Sequence, residues 1–164
     1  VRDFDLTLSR HFTLRELLIT EHRDIDNTPP AAIVDRLRWL CNDFLEALRG
    51  RFGPLRVTSG YRCAALNTTI GGAPDSAHTY GCAADLQALD GWTPEDMARW
   101  VALSSGLPFD QVIDEGNATA AWLHLGALRP YHEPAPRRQA LRFRSGSYSQ
   151  LQLLPPAAGR VAGT

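Results

Sequence analysis

Ser76-Ala-His78-Thr-Tyr-Gly81-Cys-Ala83-Ala-Asp85, followed well downstream by Trp122-Leu-His124-Leu-Gly126, decides how this chain is read. Side chains alternate between the two faces of an extended strand. Trp122, His124 and Gly126 therefore share one face, and Leu123 and Leu125 the other. That pattern predicts leucines in a core and His124 in a cleft. A strand over 82–88 places Ala83 and Asp85 on one face with Gly81 nearby, and small residues there leave room for a bound group. His78 lies in the loop 71–80 that feeds this strand. Two imidazoles and a carboxylate suit zinc, and three protein ligands leave one coordination position for water, as in catalytic sites.

Outward from these stretches the chain alternates helices and strands. Residues 1–12 read as an extended lead-in. Thr13 with Glu16 forms a capping box for a short helix to about residue 20, with Leu14, Leu17 and Leu18 as its apolar face. Residues 22–30 form a polar, proline-marked loop. Ile33, Leu37, Leu40, Phe44 and Leu48 recur at helical spacing, which predicts a helix over 31–49 stopped by Gly50. A strand over 55–59 is broken by Gly60, and a short helix over 62–70 ends at Gly71-Gly72. Thr93, Pro94 and Asp96 open a helix to about residue 104. Residues 109–115 and 121–128 read as a β-hairpin, and 140–144 as an edge strand. The expected architecture is α+β, with helices covering a small antiparallel sheet. The expected domain is 1–145, and 146–164 reads as a C-terminal tail, disordered in part.

Composition bounds the function. The 164 residues suffice for one domain with a sizeable core, and 44% hydrophobic and 21% charged residues are ordinary for a globular protein. The 17 basic residues, all arginine, nearly balance 18 acidic ones, so no global basic field draws the chain to nucleic acid or a membrane surface. No apolar run approaches the roughly 20 residues that span a bilayer. Residues 1–10 lack a signal-peptide layout. The expectation is a monomer made in the cytoplasm. Cys41, Cys63 and Cys82 are odd in number and form no C-x-x-C pair, which fits free thiols and excludes a finger-type thiolate site.

Ser-x-His-x-x-Gly-x-Ala-x-Asp followed by Trp-x-His resembles the zinc D-alanyl-D-alanine carboxypeptidase family. That family includes phage endolysins and shares its fold with lysostaphin-type peptidases and the hedgehog signalling domain. Further matches are Phe12-Thr-Leu-Arg-Glu16, Ser59-Gly-Tyr-Arg62, Asn67 with Gly71-Gly72-Ala73-Pro74, and Phe109-Asp-Gln-Val-Ile113. The resemblance covers roughly residues 11–130. It implies a zinc peptidase acting in the periplasm or cell wall on peptidoglycan stem peptides or cross-links, of bacterial or phage origin. By it, His78, Asp85 and His124 hold Zn2+, and Arg62 lies over the cleft to bind a substrate carboxylate or carbonyl. Ser76 bonds the substrate or braces the His78 loop. Read from the residues alone, Trp92 and Trp122 are core by default, with stacking on substrate in the cleft as the alternative.

The general base departs from the family pattern. Many relatives carry Glu or His three residues before the last histidine ligand, where this chain has Ala121. Glu115, across the hairpin from the His124 strand, is the first substitute, and Asp114, on the opposite face, the second. A Ser76/His78/Asp85 triad lacks a nucleophile elbow, and Cys82 among alanines suits an inert buried thiol. His11, His22 and His132 read as surface or packing residues. Arg137, Arg138, Arg142 and Arg144 read as a solvated basic edge, with contact to anionic wall polymers or nucleic acid as the sharper alternative. The rival functions are a non-catalytic zinc module of the same fold and a phage structural interaction domain.

Overall fold

A computed structural model describes residues 4–129 and 135–153. Six strands form one sheet: β1 (Leu55–Ser59), β2 (Ala83–Ala88), β3 (Phe109–Gly116), β4 (Ala121–Ala127), β5 (Gln139–Arg144) and β6 (Ser147–Gln150). Their spatial order is β1-β2-β4-β3-β5-β6. Five helices are described: α1 (Leu14–Leu17), α2 (Ala31–Leu40), α3 (Glu46–Phe52), α4 (Ala64–Thr69) and α5 (Pro94–Leu103). No helix among the described residues is long and apolar enough to cross a membrane.

The expected small antiparallel sheet needs correction. The sheet is larger and mixed, because the chain leaves β4 and returns on the far side of β3, where β5 runs parallel to it. The strand expected at the edge over 140–144 is thus internal, and β6 takes the edge. β6 also carries the sheet past the boundary expected at residue 145. The tail over 154–164, like His132, lies outside the described residues.

Strand alternation sorts the two faces of the sheet. Leu86, Leu123, Leu125, Val112 and Ala140 are buried in the hydrophobic core under the helices. Their strand neighbours Asp85, His124, Gln111 and Ile113 line a cleft on the other face. Two bulges adjust this pattern. Between Val57 and Ser59 the register slips, so that Ser59 lies opposite Asp85 while Val57 stays in the core. Between Phe109 and Gln111 a second slip turns Asp110 as well as Gln111 toward the cleft. A bulge inserts one residue and re-aims its side chain, which is why bulges recur beside functional sites.

The long helix keeps the predicted apolar seam but not its end. α2 runs through a π-helical turn, Cys41–Leu45, into α3. The wider turn admits one extra residue, so Phe44 and Leu45 are both fully buried. Gly50 does not stop the helix. It continues to Phe52, whose ring meets Trp92 and Trp100 edge-on at 5.4 Å, and ends at Gly53 with φ +75°. Burial of that ring outweighs the about 1 kcal/mol cost of a mid-helix glycine. Trp39 is 38% exposed, with its ring edge-on to Phe44. Glu46 ties the lead-in to α3 by accepting from Ser9 Oγ and the His11 backbone, with His11 Nδ1 at 2.7 Å.

Candidate metal centre

Each candidate ligand sits on a different element, and hydrogen bonds between them set their aim. His78 lies in a single 3-10 turn, Ala77–Tyr80. Ser76 caps that turn by accepting from the His78 N–H, so it braces the loop and also lines the cleft. The Arg62 backbone N–H donates to the His78 carbonyl, and Asn27 clamps the neighbouring segment through the Tyr61 carbonyl and the Cys63 N–H. β2 supplies Asp85 and β4 supplies His124, directly opposite one another in the antiparallel register.

The three donor atoms converge. His124 Nδ1 stands 2.9 Å from Asp85 Oδ1, and His78 Nε2 stands 3.2 Å from both. A tetrahedral zinc site with bonds of about 2.0–2.1 Å has ligand-to-ligand edges of about 3.3 Å, so the triangle has the size such an ion requires. Proton placement agrees. His78 Nδ1 lies 2.6 Å from the Gly60 carbonyl, which can only accept, so Nδ1 carries the proton and Nε2 offers a lone pair. Burial pushes the His78 imidazole down and keeps it neutral, against the pull of Asp85. Burial opposes ionisation of Asp85 too. The two imidazoles beside it outweigh that cost and hold its carboxyl well below the usual range. A neutral lone pair and an ionised oxygen facing each other inside the protein call for a cation between them.

Arg62 reaches the cleft wall, where two of its donors are used internally. Nη2 donates to Asp85 Oδ2 at 2.7 Å and Nε to Ser59 Oγ at 2.9 Å. The guanidinium therefore fixes the outer carboxylate oxygen while Oδ1 faces the imidazoles. Ser59 reaches it because of the β1 bulge.

Glu115 and Asp114 separate cleanly. Glu115 lines the same cleft as His78, Asp85 and His124. Asp114 points to the helical side, 1% exposed, and accepts from Arg142 Nε at 2.8 Å and Arg144 Nη2 at 2.7 Å. It is a structural counter-ion with no access to the centre. Burial pushes the Glu115 carboxyl up, and the bond from Trp122 Nε1 to Oε2, 2.9 Å long, works against that rise. The Trp122 indole thus holds the acid rather than lying among the residues that line the cleft.

The cleft encloses about 370 Å³ and continues past the metal ligands to Asp110, Arg129, Arg137 and Tyr148. Arg129 bonds the Asp75 carboxylate and backbone carbonyl, pinning the 71–76 loop to the end of β4. Arg137 forks onto Asp110, with Nη2 2.6 Å from Oδ2. The basic edge expected over 137–144 is therefore corrected: Arg137, Arg142 and Arg144 each meet a buried aspartate of β3. Those partners lie far away in sequence, so a local reading sees only like charge. Cys41 and Cys82 are free and buried, with burial pushing their thiols up to about 12 and about 11.

Sequence reading missed Asn27, Asp75, Asp110 and Tyr148 as parts of this region. The Gly60 carbonyl was within reach, since Ser59-Gly-Tyr-Arg62 is one of the matched motifs. The model of the Peptidase M15 family matches residues 10–113. A zinc D-Ala-D-Ala carboxypeptidase of Streptomyces albus G is 46% identical over 46 residues, 27% of this chain and 18% of that protein.

Proposed function

The chain belongs to the peptidase M15 family, and from that premise we propose that it is a zinc peptidase cutting peptidoglycan stem peptides or cross-links. His78, Asp85 and His124 are its metal ligands and Glu115 its general base. The observation that carries the reading is the triangle of donor atoms, 2.9–3.2 Å on each edge, in the wall of an open cleft. The name of the Streptomyces relative supports zinc as the metal and a peptide ending in D-Ala-D-Ala as the substrate class.

Zinc, when bound, supplies a Lewis acid that polarises a carbonyl and acidifies water. The remaining work falls to side chains. Glu115 takes a proton from the attacking water and delivers it to the leaving amine. Burial raises the Glu115 carboxyl above its ordinary value and so makes it the stronger base for the first transfer. Trp122 holds Oε2 of that carboxylate. Arg62 orients Asp85 by donating to Oδ2, and its position on the cleft wall suits a contact with a substrate carbonyl or carboxylate. Carboxypeptidase and endolysin-type endopeptidase action both use this arrangement, at the cell wall.

The test is digestion of purified peptidoglycan by the zinc-loaded chain, with released muropeptides identified by mass spectrometry. Wild type releases peptide fragments whose masses name the bond. Glu115→Gln keeps its zinc and loses about 10²- to 10⁴-fold in rate, while Asp114→Asn, assayed where it is folded, still cuts. A zinc-bound wild type that leaves the wall intact refutes the peptidase and favours a non-catalytic zinc module.

A further inference from the structure

The cleft does not stop at the metal ligands. Strand register sets up a row of side chains across four strands: Trp122 of β4 faces Glu115 of β3, Glu115 faces Phe143 of β5, and Phe143 faces Tyr148 of β6. Residues opposite one another in a sheet project from the same face, so the whole row belongs to the face that carries the centre. Trp122 and Glu115 hold each other at one end. At the other end the Phe143 and Tyr148 rings are in contact, with centroids 4.6 Å apart and planes inclined at 46°.

Tyr148 has no evident structural task. It is 61% exposed and stands outside the hydrophobic core, yet it lines the same cleft as the metal ligands. Edge strands are usually blunted with charge or proline, and Ser147–Gln150 carries neither. The ring is close enough to the centre that the phenol, raised first by its own burial, is raised further by the Glu115 carboxylate. Two strand spacings separate Tyr148 from Glu115, roughly 10 Å of backbone, about the length of three extended residues. A peptide with its scissile bond beside Glu115 and its chain running outward over β5 passes over this aromatic pair.

We propose that Tyr148, seated on Phe143, is a substrate-positioning residue that takes the apolar face of the peptide on the β6 side of the scissile bond. This rests on the peptidase reading above, but it concerns a residue beyond 10–113, the segment matched by the family model. An aromatic ring with two rotatable bonds gives rigid contact area at small entropic cost. The pair therefore sets which peptides bind, and leaves the chemistry at Glu115 unchanged.

Steady-state kinetics of the full zinc-loaded chain on a soluble muropeptide test the proposal, with wild type, Tyr148→Phe and Tyr148→Ala compared. Tyr148→Ala raises KM about 3- to 10-fold, with kcat, zinc content and Tm as in wild type. Tyr148→Phe restores most of the affinity. An unchanged KM in Tyr148→Ala, or a loss confined to kcat, overturns the proposal while the peptidase stands. A wild type that does not cut at all overturns both.

Discussion

Replacing Trp122 by phenylalanine keeps the ring in place and removes one donor, the indole N–H that lies 2.9 Å from Glu115 Oε2. The consequence for catalysis can be worked through with its sign. A general base acts in its ionised form, so activity is full above its pKa and is lost as pH falls through it. Burial places the Glu115 pKa above the ordinary carboxylate range, and the indole bond opposes that rise by favouring the charged form. Its removal pushes the carboxyl further up and moves the acid limb of the rate profile to higher pH. A hydrogen bond to a charged group contributes roughly 1.5–3 kcal/mol, and both partners here are only half-buried, so about 1 kcal/mol is appropriate. At 25 °C that is a roughly fivefold fall in kcat/KM on the acid limb. On the alkaline side, where the base is ionised in both proteins, the plateau should coincide. The assay is kcat/KM against pH for wild type and Trp122→Phe on one muropeptide. An unmoved limb with a lowered plateau would mean that Trp122 contacts the substrate, and the assignment to Glu115 would fall.

Two further perturbations probe the centre from below. Asp85→Asn removes the ionised donor that also receives Arg62, and zinc affinity, read by chelator competition, should fall more than roughly 100-fold; wild-type affinity in that variant would exclude Asp85 as a ligand. Gly60→Ala would place a methyl 2.3 Å from the Leu17 carbonyl oxygen. Overpacking of this kind costs about 1–3 kcal/mol, so Tm should drop by several degrees. Zinc affinity should weaken with it, because the Gly60 carbonyl that orients His78 must shift. Wild-type values for both would show that α1 yields freely at this contact.

How much of this could be read from sequence follows from which interactions are local. The strands that carry Asp85 and His124 were legible because period-two alternation of Leu123 and Leu125 with Trp122 and His124 marks two faces unambiguously. The same rule separates Glu115 from Asp114. The π-helical turn in the long helix leaves no such mark, since Cys41, Phe44 and Leu45 are as compatible with a regular helix. β6 escaped because Ser-Tyr-Ser-Gln is polar, short and exposed throughout, and so has no buried face to imprint a pattern. Arg137, Arg142 and Arg144 looked solvated because their aspartates sit on β3, and that parallel pairing is set by tertiary packing. Asn27 looked like an ordinary loop residue for the same reason, since its partners lie more than thirty positions away.

The parallel docking of β5 beside β3 has one more consequence, for how such a molecule can be built and rebuilt. All three donor residues have been synthesised once position 124 is made, and β2 and β4, which carry Asp85 and His124, neighbour one another without help from β5 or β6. The β5–β6 hairpin is attached to one flank of that unit, and the arginines before and along β5 neutralise the buried Asp110 and Asp114 of β3. Selection can therefore rewrite β6 more freely than β5, because Ser147–Gln150 is exposed and carries no charge on which the rest depends.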